Sequence, residues 1–176
     1  MKTLKFILSL LMLVTLNSCT DNTSDTQLDL SNENIAGIYN ISSLNIDTET
    51  SATTSGITVT VLNTSSTGDT FQVEFIFNED GTYMLSGQLR IVSTITPIGE
   101  SPVTDEEIIV VNDAGTYSIN ATDNTISFMT QDNAFVEGTF NVSVFNNTTV
   151  SLNQQVEETM GELSSDINMN VSLERQ

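Results

Sequence analysis

From Ile35 onward the chain alternates in steps of two. Ile57, Val59 and Val61 alternate with Thr58 and Thr60. Phe71, Val73, Phe75 and Phe77 alternate with Gln72 and Glu74, and Ile167, Met169, Val171 and Leu173 with Asn168, Asn170 and Ser172. Successive side chains of a strand point to opposite faces, so this pattern spells strands with one dry and one wet face. Further strands are predicted at 38–46, 82–95, 107–112, 116–120, 125–130, 135–145 and 148–154, about ten in series. Val156, Met160 and Leu163 have helical spacing, but Gly161 interrupts them and leaves room for a turn or two at most.

Residues that pair across a hairpin share a face, so parity tests each loop length. A three-residue loop Glu79-Asp80-Gly81, with glycine in the left-handed position, sets Phe77 against Tyr83, Phe75 against Leu85 and Phe71 against Leu89. A two-residue turn there would mix wet and dry faces. A loop Ala121 to Asn124 sets Ile119 against Ile126 and Tyr117 against Phe128. A loop Asn146 to Thr148 sets Val144 against Val150 and Val142 against Leu152. The expected fold class is therefore all-β, an antiparallel up-and-down meander. With almost no helix to cover an edge, closure into a barrel is favoured, because a closed barrel leaves no unpaired strand. A two-sheet β-sandwich demands the same buried face and is the alternative.

The N-terminus follows a different pattern. Lys2 and Lys5 precede an apolar run from Phe6 to Leu16, which gives way to Asn17 and Ser18 before the lone cysteine, Cys19. The order is that of an export signal, and the run is too short for a membrane span of about 20 apolar residues. Leu16-Asn17-Ser18-Cys19 resembles the lipobox of bacterial lipoproteins. That resemblance implies a signal peptide over 1–18 and lipid attachment at Cys19, hence a membrane as partner and a place in the cell envelope, most directly the outer membrane. Residues 19–34 are polar apart from Leu28 and Leu30 and read as a tether, leaving 35–176 as one domain.

Charge and composition narrow the chemistry. The chain carries 23 acidic residues, and after Cys19 its only cations are Arg90 and Arg175, so nucleic acid is not expected as a partner. Without histidine there is no Ser-His-Asp or Cys-His triad and no histidine-bound metal. With a single cysteine there is no disulfide or thiolate site. Glu106-Glu107 and Glu157-Glu158 would point to opposite faces of a strand, so neither offers a carboxylate pair. No enzyme activity, cofactor or metal is expected. Asn78-Glu79-Asp80-Gly81, Asn112-Asp113-Ala114-Gly115 and Asp123-Asn124 do not fit the calcium-loop pattern and are read as β-turns.

Gly37-Ile38-Tyr39, the hairpin Phe77-Asn78-Glu79-Asp80-Gly81-Thr82-Tyr83, and Gly115-Thr116-Tyr117-Ser118-Ile119 followed by Asn124-Thr125-Ile126-Ser127-Phe128 together resemble the lipocalin-like domain of Bacteroidota-type lipoproteins. Tyr39 stands where that family has tryptophan, which this chain lacks altogether. The resemblance implies a lipocalin-like barrel around a small hydrophobic ligand, with Phe71, Phe75, Phe77, Tyr83, Tyr117, Phe128 and Phe140 facing inward, as cup or as plain core. Strand parity also turns Arg175 inward, and the resemblance implies that it packs over Tyr39 where the last strand meets the first. Two functions follow as expectations: a binding protein for a small hydrophobic molecule, or a non-catalytic structural or interaction module with an envelope protein as partner.

Overall fold

The computed structural model describes residues 26–130 and 135–176. The expected signal peptide, Cys19 and the first part of the expected tether lie outside the described residues.

Strand follows strand around a closed ring: β1 (Gly37–Thr54), β2 (Ile57–Phe77), β3 (Thr82–Pro97), β4 (Val103–Asn120), β5 (Thr125–Thr130), β6 (Gly138–Phe145), β7 (Thr149–Met160) and β8 (Leu163–Arg175). Every neighbour is antiparallel and sequential, and β8 returns to pair with β1 from Tyr39↔Arg175 to Ala52↔Leu163. This is the expected up-and-down barrel rather than the sandwich. Apolar side chains turn inward, while Asn40, Asp47, Glu49 and other polar residues face out. A membrane-spanning barrel has the inverse arrangement.

The strands number eight rather than ten because predicted fragments fuse. Asn112-Asp113-Ala114-Gly115, read as a turn, continues β4 instead. A Cβ on Gly115 would meet the Met129 carbonyl at 2.3 Å and the Tyr83 ring at 3.0 Å, so this glycine serves close approach of β3 and β5, not chain reversal. The helical spacing of Val156, Met160 and Leu163 is likewise overridden. Met160 pairs with Leu163 across a tight turn at Gly161, whose φ is +67°, and all three residues are strand.

Of the three hairpin readings, the one around 121–124 agrees with the register in full and the other two in part. Phe77↔Tyr83, Phe75↔Leu85, Ile119↔Ile126, Tyr117↔Phe128 and Val142↔Leu152 are partners. Two bulges break the rest. At Thr70 (φ +50°) two residues of β2 oppose one of β3, which ends the strict alignment of Phe71 with Leu89. At Ser143 a bulge sets Val150 against Phe145 instead of Val144, burying the larger ring and leaving Val144 exposed.

The expected tether also ends earlier than residue 34. Leu28 donates its backbone N–H to Phe145 at 2.9 Å, and Leu30 is buried. A short helix, α1 (Asn32–Ile35), capped by the Ser31 hydroxyl, drives Ile35 fully into the end of the barrel. The two or three apolar residues of this segment are enough to dock it because they cap a core that would otherwise be open to water.

Candidate functional site

The barrel has two unlike halves. At the base, where the β2–β3, β4–β5 and β6–β7 turns lie, all eight strands pair and the interior is solid. Phe75 stacks on Phe77 at 4.4 Å between ring centroids, Tyr117 meets Phe77 edge-on at 5.2 Å, Tyr83 meets Phe128 at 5.3 Å, and Phe140 meets Phe128 at 5.6 Å. Such offset and edge-to-face pairs add about 0.5 to 1.5 kcal/mol each beyond area burial. Six of the seven aromatic residues offered as a ligand cup therefore fill the space that a ligand would need. Phe71, the seventh, is only partly buried. Its ring lies over Gly68, where an added Cβ would be 2.8 Å away, and forms the top of the core rather than a wall.

The phenol hydroxyls at the base are satisfied. The Tyr83 hydroxyl donates to Asp113 at 3.2 Å and that of Tyr117 to the Asn78 carbonyl at 2.6 Å. Burial pushes both phenols up to about 12, with Asp113 adding to the shift of Tyr83 and Asp80 to that of Tyr117. Asp80 itself accepts from the Thr82 hydroxyl at 2.7 Å and the Thr82 N–H at 3.0 Å, which hold its carboxyl below the usual range. That is turn chemistry at Asn78-Glu79-Asp80-Gly81. Arg175 lies 5.1 Å from the centroid of the Tyr39 ring, and it donates both to the Tyr39 hydroxyl and to the Asn34 carbonyl, the latter at 2.5 Å. Tyr39 in turn donates to the Ile35 carbonyl at 2.8 Å. One network thus links the first strand, the last strand and the helix at the seal.

Above the base the ring opens. The short strands β5 and β6 stop, while their neighbours continue. β4 pairs with β5 only at 115–120, and β7 pairs with β6 only at 150–153, from Asn141↔Asn153 to Phe145↔Val150. The upper half is consequently a curled sheet in the order β7-β8-β1-β2-β3-β4. Among the described residues it has two free edges, 103–110 of β4 and 155–160 of β7. Its inner face begins in Ile46, Ile109 and Met169, half-buried on the core, and becomes polar toward the rim, where Ser66 and Ser93 hydrogen-bond at 2.7 Å and Thr50 and Ser165 at 3.0 Å.

Shallow clefts line this open half among the described residues. One of about 460 Å³ on the inner face is lined by Thr50, Glu158, Met160, Leu163 and Ser165. A second, about 440 Å³, lies among polar residues such as Asp47, Glu49, Asn63 and Asp166. A third, about 400 Å³, lies between Thr70, Gln88, Arg90 and Ile108, above Leu89. The Arg90 guanidinium bridges Asp69 at 2.7 Å and Glu106 at 3.0 Å, so it ties β2, β3 and β4 together on the outer face and holds the Asp69 carboxyl below its usual range. The acidic residues gather no group of three or more that could hold a metal ion among the described residues.

Sequence reasoning missed this feature. Glu107, Ile108 and Val110 fell within the predicted strand 107–112, which stopped short of Asp105 and Glu106, and nothing in an alternating pattern says whether a strand has a neighbour. The predicted lengths carried no signal of it, because 107–112, 116–120 and 125–130 are alike, and only fusion of the first two into β4 leaves β5 too short to cover it.

No family model matches the chain, and no curated protein matches it. Among solved structures, Ail, the attachment invasion locus protein of Yersinia pestis, crystallised with the heparin analogue sucrose octasulfate, is similar at 8% identity over 81% of this chain and 100% of that chain, with a TM-score of 0.23. That value lies below the level at which two chains share a fold.

Proposed function

We propose that this chain is a non-catalytic protein-interaction module of the bacterial cell envelope, held at a membrane, most directly the outer membrane, by a lipidated Cys19. The observation that carries the reading is the contrast between a base filled by its own aromatic side chains and an open half that offers strand edges. A barrel with a solid interior has nothing for a lipocalin-like cargo to enter at that end, whereas edges and exposed side chains suit a macromolecular partner. The anchor rests on the charged start, apolar run and lipobox-like Leu16-Asn17-Ser18-Cys19.

A second reading has its own observation. The inner cleft beside Met160 and Leu163, at about 460 Å³, exceeds the roughly 300 Å³ of small ligand pockets, so a small amphipathic ligand would lodge there rather than among the aromatics.

Native mass spectrometry of the detergent-extracted full chain distinguishes the two. A stoichiometric protein partner is expected. A retained small molecule that Met160→Asp displaces would replace this reading with the second. Cys19→Ser is expected to release the protein from the membrane fraction, and full retention would remove the anchor.

A further inference from the structure

Residues 103–110 of β4 form an exposed stretch that includes Val103, Ile108 and Val110. Ile108 is 66% and Val110 75% exposed, on a strand that β5 accompanies only as far as Gly115 among the described residues. The direction of the free backbone groups follows from the register. Tyr117 donates its N–H to the Gly81 carbonyl at 2.7 Å, on the β3 side, and the β3–β4 ladder runs without a shift from Thr82↔Thr116 to Ile95↔Val103. Odd-numbered residues of β4 therefore spend their backbone groups on β3. Residues 104, 106, 108 and 110 turn theirs to the open side.

We infer that this edge accepts an extended, basic segment of another protein as an added strand beside β4. The inference rests on the interaction-module reading above and names how its partner docks. Four residues whose donors and acceptors pair with no described strand supply the ladder, and Ile108 and Val110 supply apolar contact on the outer face. Charge selects the occupant. Asp105, Glu106 and Glu107 flank the apolar run on one side and Asp113 on the other, with Arg90 as the one cation near them among the described residues. Such acids block casual edge-to-edge pairing and favour lysine or arginine at the ends of the incoming strand. They also disfavour a second copy of this chain, because symmetric antiparallel pairing centred on Ile109 would set Asp105 against Asp113 of the other copy.

The test uses the full chain and a synthetic peptide of alternating valine and threonine with two lysines at each end, followed by fluorescence anisotropy. Binding is expected to weaken with salt and to fall at least about tenfold in Val110→Pro, which removes an open-side N–H while sparing the β3 ladder. Methylating alternate peptide amides should abolish binding in one parity and spare it in the other. If Val110→Pro shifts the urea midpoint, Ile108→Glu serves as the second variant. Equal binding by both methylated peptides, by a glutamate-flanked peptide, or by the folded variants would overturn strand addition, as would a dimer in sedimentation that Val110→Pro dissolves. A native partner that the Val110→Pro chain retains would also overturn it and leave the interaction-module reading intact. Absence of any native partner would fail that reading alone, provided the peptide signatures hold.

Discussion

The two halves of this barrel are made of the same strands and almost the same alphabet, yet only one of them is closed. β1 illustrates the difference along a single strand: Tyr39, Ile41 and Leu44 are buried at the base, whereas Ile46, Thr48 and Thr50 further along the same face remain half-exposed. The base has eight strands to surround its side chains and large rings to fill the space. The upper half has six strands, hydroxyls in place of rings, and water on both faces. Burial is thus decided by how many neighbours a strand has, more than by its own pattern.

The largest consequence should be an asymmetry in core truncation. Phe75→Ala, which removes a ring packed against Phe77, Tyr83 and Phe128, is expected to destabilise the protein by about 3 to 5 kcal/mol in urea unfolding. Ile167→Ala, on the same inward parity but in the open half, should cost under about 1 kcal/mol. Comparable losses at both positions would mean that the upper half is closed in solution.

High pH provides a second way to separate the halves, because all three tyrosines lie at the base. Tyr83 and Tyr117 ionise near 12 in the folded chain against an ordinary value of 10.0. Their folded values are raised, so the stability they contribute is complete below pH 10 and is lost as pH rises from 10 to about 12. Thermal melting should fall steeply over that window. Tyr83→Phe, which cannot ionise, should blunt the fall. Equal steepness in the variant would show that the phenols are solvated.

Much of the base was legible in the sequence, because parity and loop length together specify which side chains meet. Phe77↔Tyr83, Tyr117↔Phe128 and Val142↔Leu152 follow from nothing more. The bulges at Thr70 and Ser143 were not legible, since alternation does not mark where a ladder position is skipped; at Ser143 the skip buries the ring of Phe145, and at Thr70 it leaves Phe71 partly buried. Asn112-Asp113-Ala114-Gly115 misled for a different reason. Turn residues also suit a crowded strand, where Gly115 yields to Met129 and Asp113 accepts from Tyr83 and Thr130. The open edge was least legible, because whether 103–110 has a neighbour depends on the length of β5, which lies outside that segment.

The smallest effects concern the two cations, one in each half. Arg175 lies against Tyr39 with a carbonyl and a hydroxyl as acceptors, where low exposure to water strengthens each contact, and its Nε is buried with no acceptor of its own. A double-mutant cycle of Tyr39→Leu with Arg175→Met should return a coupling of about 0.5 to 2 kcal/mol that salt leaves nearly unchanged. Arg90 holds two carboxylates in closer geometry, at 2.7 and 3.0 Å, yet all three groups are about half in water. Solvent and salt screen such pairs, and the long side chains lose rotamer freedom in forming them. Arg90→Gln should therefore destabilise less than Arg175→Met despite leaving Asp69 and Glu106 without a cation, and the loss should vanish as salt is raised. A larger, salt-resistant loss at Arg90 would show that the upper half depends on its outer clamp and is held more rigidly than its exposed interior implies.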